Sequence, residues 1–270
     1  MRVVLFRDET PLGHRVVEYF RLRSSALSLI LPEDLADGYP ANNTRYVSGA
    51  QDLLELAEYV HAFQADYLVV ATFPWKLPAE LVRAAPVAFN LHSAWLPELR
   101  GAHPEFWAIR RGMSATGLTA HALSERFDAG EIFHQVRVPI GPEETLGSLS
   151  TRFADVAVHL LEDLLSRPQP WPSTSQQGEP TRAPLVTDAD LRLRPEETAE
   201  SILRHARACA PYLTPWIDAE GRRIAVSHLR DLALPSPRPP GVWREGAHWL
   251  LSAGDAKLLA VHPAGGQVDG

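Results

Sequence analysis

Short apolar runs alternate with amphipathic segments along the first hundred residues. The apolar runs predict buried strands at residues 2–6, 26–31, 67–71 and 88–91. Apolar positions at helical spacing predict helices at residues 12–22, 51–63 and 78–83. Strands that alternate with helices are typical of a parallel sheet covered on both faces. We therefore expect an α/β, Rossmann-like domain with a mostly parallel sheet.

The pattern changes after residue 100. It predicts a helix at residues 103–111, strands at 118–123 and 132–139, and a long helix at 146–165. Five prolines among residues 166–184 then indicate a linker. Beyond it, the pattern predicts one helix at 195–208 and short strands at 214–217, 222–229, 249–251 and 257–262. The expected organisation is a catalytic domain at 1–168, a Pro-rich linker at 169–184 and a small β-rich domain at 185–270.

Composition narrows the function classes. Hydrophobic residues make up 45% of the 270 and charged residues 22%, as in folded globular proteins. The net charge of −7 argues against DNA as a partner, because nucleic-acid-binding domains usually carry a basic surplus. Cys209 is the single cysteine, so it has no internal disulfide partner and is interpreted as a small buried residue. An early charge at Arg7 and the lack of a long apolar run predict a cytoplasmic protein without a membrane partner.

Three polar residues suggest acyl-transfer chemistry. Asn90 and His92 lie two residues apart at the end of a predicted strand, so both side chains point to one side of the sheet. Ligands bind at the carboxyl ends of strands in such sheets. An amide and an imidazolium can both donate to a developing oxyanion, while the Asp128 carboxylate raises the pKa of the histidine and accepts a proton. No His, Asp or Glu spacing predicts a metal site, and no dinucleotide fingerprint follows the first strand.

These residues stand in a longer pattern that resembles a known family. Asn90-x-His92, Leu96-Pro97, Arg100-Gly101 and Asp128-x-Gly130 are similar to the signature of 10-formyltetrahydrofolate-dependent formyltransferases, which include methionyl-tRNA formyltransferases. The resemblance spans about residues 3–165. It implies that Asn90 and His92 polarise the formyl carbonyl and that Asp128 tunes His92. It also implies that the C-terminal part is similar to the small, OB-like barrel domain of the tRNA-acting members.

The resemblance further implies where the co-substrate 10-formyltetrahydrofolate binds. The expected folate contacts are Phe73, Trp75, Leu77, Ala129, Gly130 and Glu131. Three other residues are candidates for binding the amine acceptor, each with an alternative. Arg100 binds an acidic group or pairs with a nearby glutamate, His103 contacts the acceptor or caps a helix, and His121 lines the site or ends a strand.

The acceptor and the reaction outcome stay open at this level. Residues 32–40 are acidic where the tRNA-acting members carry a basic loop, so a small amine or an amino sugar is favoured over tRNA. Ala94-Trp95 and Arg7-Asp8 also depart from the family pattern. The alternatives are hydrolysis of 10-formyltetrahydrofolate and a non-catalytic protein that retains the folate pocket.

Overall fold

The structure of the chain is a computed structural model that describes residues 1–38 and 43–264. The chain forms two compact units. The first comprises residues 1–104, 115–139 and 150–184, and the second comprises 105–114, 140–149 and the chain from residue 185. Of the predicted acidic segment 32–40, Glu33–Gly38 is a short 3-10 helix, and residues 39 and 40 lie outside the described residues.

A seven-stranded sheet forms the first unit. The described residues of this unit form nine strands: β1 (Arg2–Arg7), β2 (Ala26–Pro32), β3 (Thr44–Val47), β4 (Tyr67–Ala71), β5 (Val87–His92), β6 (Arg100–Gly101), β7 (Ala115–Ala122), β8 (Ile132–Pro139) and β9 (Arg182–Ala183). The large sheet has the order β3-β2-β1-β4-β5-β7-β8. Its first five strands run parallel, and β7 and β8 are antiparallel to their neighbours. The predicted α/β fold with a mostly parallel sheet is confirmed.

In the part of the chain that the structure describes, five α-helices lie between or after these strands. They are α1 (Pro11–Arg23), α2 (Leu56–Ala62), α3 (Ala79–Val82), α4 (Pro104–Arg110) and α5 (Leu146–Ser166). α1 starts at Thr10, whose side chain accepts a hydrogen bond from the Gly13 N–H, and Pro11 occupies the first turn. The helix predicted over 51–63 begins instead with a 3-10 turn at Asp52–Leu54.

The proline-rich segment 169–184, predicted as a linker, is part of the first unit and packs within it. Trp171 is buried, and its ring lies 5.7 Å from Tyr67, 5.7 Å from Phe89 and 5.5 Å from Phe133. Downstream, β9 pairs in parallel with β6. The burial of the Trp171 indole and the pairing of β9 depend on residues that are distant in sequence, so the proline content of the segment could not predict them.

The second unit is built around a five-stranded antiparallel sheet. Its elements are α6 (Ala199–Cys209), β10 (Trp216–Ala219), β11 (Arg222–Pro235), β12 (Gly241–Glu245), β13 (His248–Ser252) and β14 (Lys257–Pro263). The sheet order is β10-β11-β14-β13-β12. Ile217, Leu251 and Leu259 are fully buried in its core, against Ala199 and Ile202 of α6. The β-rich character of this region is confirmed, although β12 was not predicted.

Cys209, at the end of α6, is fully buried, as its interpretation as a core residue predicts. Burial raises the pKa of its thiol to about 12. A thiol with that pKa is inert as a nucleophile near neutral pH.

His205 of α6 makes the folding stability of this unit dependent on pH. It is 2% exposed, its Nε2 lies 2.7 Å from the Asp190 carbonyl oxygen, and burial lowers its pKa to about 4. The unfolded chain binds a proton near the ordinary pKa, so the stability that neutral His205 contributes is lost as pH falls from about 6.5 toward 4. We expect a loss of about 2 kcal/mol between pH 7 and pH 5, measured by urea unfolding.

The variant His205→Gln is the matched control for this effect. Glutamine does not titrate, so the pH dependence of its unfolding free energy should be shallower than that of the wild type between pH 7 and pH 5. Identical slopes in the two proteins would show that His205 does not cause the pH dependence.

Candidate functional site

Strand β5 presents the two leading candidates at its carboxyl end. Phe89 and Leu91 are buried in the sheet, whereas Asn90 and His92 alternate with them and share one side. Asn90 lies opposite His121 in the antiparallel pairing with β7. This register places His121 beside the predicted site residues Asn90 and His92. Asp128 reaches the same site from the loop after β7.

The imidazole of His92 is 6% exposed and hydrogen-bonded on one side. Its Nε2 lies 2.9 Å from the Leu99 carbonyl oxygen. A carbonyl only accepts, so Nε2 carries the proton and the Nδ1 of a neutral ring is free to receive one. Nδ1 lies 3.6 Å from the Asp128 Oδ1.

Burial decides the charge of His92. It lowers the pKa of His92, and the nearby Asp128 carboxylate only partly offsets it. The Asp128 carboxylate raises the pKa of His92, as the sequence led us to expect, but burial is the larger effect and the net shift of the pKa is downward. Removal of the ring from water outweighs the attraction, and the imidazole is neutral near pH 7.

Asp128 is the anionic centre of the site. Burial alone would raise the pKa of its carboxyl, but charge interaction with His92, contacts with His121 and the Gly101 N–H together lower it to about 2. The Gly101 N–H donates to Oδ2 at 2.8 Å, and the Asn90 Nδ2 donates to Oδ1 at 3.3 Å. Asp128 has a positive φ of 53°, a conformation that aspartate tolerates better than most residues.

His121 fixes the amide of Asn90. The Nδ1 of His121 lies 2.9 Å from the Ala122 carbonyl oxygen and carries the proton, so Nε2 accepts. The Asn90 Nδ2 is 3.1 Å from this Nε2. Both amide hydrogens of Asn90 thus point to His121 and Asp128. His121, a candidate acceptor ligand by sequence, contacts these two predicted catalytic residues.

The turn that carries Leu99 and Gly101 is held by hydrogen bonds to residues 181–183. The Leu99 N–H donates to the Thr181 hydroxyl at 2.9 Å, and the Ala102 N–H donates to the Ala183 carbonyl oxygen at 2.8 Å. Gly101 has a φ of 126°, and a methyl group there would overlap the Ala183 carbonyl. Only glycine fits this approach, which places the Gly101 N–H against Asp128.

Two residues predicted to bind the amine acceptor, Arg100 and His103, lie in this turn or just after it. Arg100 directs Nε and Nη2 to the Gln176 Oε1, at 3.1 and 2.6 Å. The alternative pairing of Arg100 with a nearby glutamate is not seen among its described contacts. His103 lies two residues beyond Gly101, at the start of α4, and burial lowers its pKa.

The predicted folate contacts form two neighbouring segments. Phe73 packs edge-on against both Phe6 and Trp75, with ring centroids 5.3 and 5.4 Å apart. Leu77 is buried in the same apolar cluster, which Leu123 also joins. The Lys76 ammonium donates to the Glu125 carbonyl oxygen, so the segment after β4 is tied to the loop that leads to Asp128.

The second folate segment, residues 129–131, lies directly on the end of β7. A methyl group at Gly130 would lie 1.8 Å from the Ala122 carbonyl oxygen, so a glycine is required here. The Ala122 N–H donates to the Glu131 carbonyl oxygen at 2.8 Å, and the Glu131 carboxylate accepts from the Ser173 hydroxyl at 2.5 Å. Partly exposed aromatic rings beside a loop of this kind suit a flat heteroaromatic ligand.

Three contributors to the site were missed by sequence reasoning. The Leu99 carbonyl and the Gly101 N–H act through the backbone, and Gln176 lies in a segment interpreted as a linker. Arg100-Gly101 is part of the recognised pattern, which offered a signal for the turn, whereas no local pattern marks Gln176. Within residues 1–38 and 43–264, no group of three His, Cys, Asp or Glu side chains is arranged to hold a metal ion.

Comparisons with known proteins identify the family. A family model described as "Formyl transferase" matches residues 32–165. A methionyl-tRNA formyltransferase of Koribacter versatilis is 26% identical over 267 residues, which cover 97% of this chain and 81% of that protein. The methionyl-tRNA formyltransferase of Bacillus mycoides is 30% identical over 217 residues, covering 77% of this chain and 69% of that protein.

A solved structure supports the fold over nearly the whole chain. The N-formyltransferase of Helicobacter canadensis, solved with folinic acid and dTDP-3-aminofucose, aligns with a TM-score of 0.72. The alignment covers 98% of this chain and 100% of that one at 13% identity, which establishes a shared fold. The enzyme class predicted from the sequence, a one-carbon transferase, is confirmed. By the family-model match over residues 32–165 and the 30% identity to the Bacillus mycoides protein, the chain belongs to the formyl transferase family.

Proposed function

We propose that this protein transfers the formyl group of 10-formyltetrahydrofolate to the primary amine of a small acceptor, such as an amino sugar. Formyl transfer and a folate co-substrate follow from the family. The observation that carries the catalytic assignment is the convergence of three side chains. The Asn90 Nδ2 lies 3.3 Å and the His92 Nδ1 lies 3.6 Å from the Oδ1 of Asp128, a residue more than thirty positions further along the chain.

His92 and Asp128 are proposed to manage the proton that the acceptor amine must lose. 10-Formyltetrahydrofolate supplies the formyl group, and the amine nitrogen forms a bond to the formyl carbon while the bond from that carbon to N10 breaks. The Nδ1 of neutral His92 accepts the amine proton, and the adjacent carboxylate stabilises the resulting imidazolium. That proton is then available for the departing N10.

Asn90 is proposed to stabilise the oxyanion. Its 3.3 Å bond to Asp128 is the longer of its two hydrogen bonds, and we place the developing oxyanion beside the amide hydrogen that faces Asp128, so that this hydrogen donates to the oxyanion. Phe73, Trp75 and Leu77, with the backbone of residues 129–131, are proposed to hold the folate ring system, and Arg100 and His103 are proposed to face the acceptor.

The choice of acceptor rests on charge and on the relatives. A net charge of −7 and an acidic segment at 32–40 oppose the strong phosphate attraction that tRNA binding uses. The structural neighbour from Helicobacter canadensis was solved with an amino-sugar nucleotide. Methionyl-tRNA is the second candidate, because the Koribacter versatilis and Bacillus mycoides relatives carry that name.

A release assay with three arms separates these possibilities. The protein is incubated with 10-formyltetrahydrofolate and, in turn, an amino-sugar nucleotide panel, methionyl-tRNA or no acceptor, and tetrahydrofolate and formate are measured. We expect amine-dependent tetrahydrofolate release without free formate in the first arm. Release only with methionyl-tRNA would overturn the small-acceptor proposal, and acceptor-independent formate would replace transfer by hydrolysis.

A further inference from the structure

Gln176 is the most completely bonded polar side chain around the candidate site. Its Oε1 accepts from the Nε and Nη2 of Arg100, at 3.1 and 2.6 Å. Its Nε2 donates to the carbonyl oxygens of Asp128 and Gly130, both at 2.8 Å. Arginine only donates and carbonyls only accept, so the orientation of the amide is fixed, and all four of its hydrogen-bonding positions are used.

These bonds hold the backbone of Asp128, while its carboxylate has a separate hydrogen bond. The Gly101 N–H binds the carboxylate Oδ2 at 2.8 Å, and Gln176 binds the backbone carbonyl of the same residue. Asp128 adopts a positive φ of 53°, which persists only where the surroundings support it. Gln176 also accepts hydrogen bonds from Arg100, the residue next to Gly101. One side chain thus joins both loops that determine where the carboxylate lies.

We infer that Gln176 is a positioning residue that sets the distance between the Asp128 carboxylate and the His92 imidazole. Its four hydrogen bonds go to Arg100 and to the backbone carbonyls of Asp128 and Gly130, so it acts through the backbone of residues 128–130 and through Arg100. The expected effect on turnover rests on the proposed function. The expected effect on the distance between Asp128 and His92 does not depend on it.

Two substitutions separate the two sides of this amide. Gln176→Met keeps length and volume but removes all four hydrogen bonds. Gln176→Glu keeps acceptors for Arg100 but offers no donor to the carbonyls of Asp128 and Gly130. The neighbouring Gln177 is exposed and bonds only to the Ser175 carbonyl among its described contacts, so Gln177→Ala is a matched control.

Turnover and the titration of His92 by NMR test the inference together. We expect kcat to fall on the order of 10²-fold in both Gln176 variants, with little change in the KM for 10-formyltetrahydrofolate and none in Gln177→Ala. In Gln176→Met the His92 imidazole should titrate at lower pH than in the wild type, because the carboxylate that favours its charged form moves away. His92→Gln identifies its resonance.

The outcomes distinguish this inference from the proposed function. Wild-type kcat and an unmoved His92 titration in Gln176→Met would overturn the positioning role. Normal turnover in Gln176→Glu would assign the effect to Arg100 and overturn the role of the carbonyl contacts. If the wild type transfers no formyl group, the proposed function fails, whereas the NMR titration still decides the positioning role. If Gln176→Met does not fold, the turnover and His92 titration of Gln176→Glu decide it.

Discussion

Asp128→Asn should lower the kcat for formyl transfer by on the order of 10²–10⁴-fold while the protein stays folded. The amide keeps an oxygen for the Gly101 N–H, so the loop can retain its place. It loses the negative charge that faces His92 Nδ1 at 3.6 Å. A proton taken up by His92 would then have no counter-charge in a buried site, where an unpaired imidazolium is costly.

The pH profile supplies a second readout for Asp128→Asn. Neutral His92 is the proposed proton acceptor, so activity falls as pH drops through its pKa. The carboxylate raises that pKa against the effect of burial, and its removal should move the acid limb of kcat/KM to lower pH. Asp155→Asn, at an exposed surface ion pair with Arg15, is the control and should leave both readouts unchanged.

A result at odds with this would be informative. Turnover in Asp128→Asn above about one tenth of the wild-type rate would remove the carboxylate from proton transfer. It would leave Asp128 a structural role through the Gly101 N–H.

The local sequence pattern was sufficient to predict most strands of the central sheet but not the two-residue strands outside it. Strands β1 and β4 are apolar runs that can only be buried, so periodicity located them. β6 and β9 have two residues each and exist because they pair with each other across about eighty positions of sequence. Pairing of this kind carries no local signal.

The same division applies to the site. Asn90 and His92 were found by alternation along one strand, and Asp128 by its place in a recognised pattern. His121 was left between two interpretations because only the register of β5 with β7 places it opposite Asn90. The effect of the carboxylate on the pKa of His92 was predicted, but the larger opposing effect of burial was not, since the degree of burial depends on the whole fold. Gln176 carried no signal, because its four bonds join three separate segments.

Asn90→Ala should lower kcat by on the order of 10²–10³-fold, the usual cost of losing one oxyanion donor. The affinity for a folate analogue, measured by titration calorimetry, should change little, because the proposed folate contacts come from residues 73–77 and 129–131. An equal loss in binding and turnover would place Asn90 in the folate pocket rather than at the formyl oxygen.

Asn90→Asp distinguishes a donor from a space-filling amide. It preserves the shape of the side chain but places a second carboxylate within 3.3 Å of Asp128 Oδ1. Two carboxylates at that distance cannot both ionise easily, so one retains a proton and the charge that supports His92 is compromised. We therefore expect Asn90→Asp to be at least as inactive as Asn90→Ala near pH 7. If the aspartate variant were the more active of the two at neutral pH, shape rather than hydrogen-bond donation would be what residue 90 contributes.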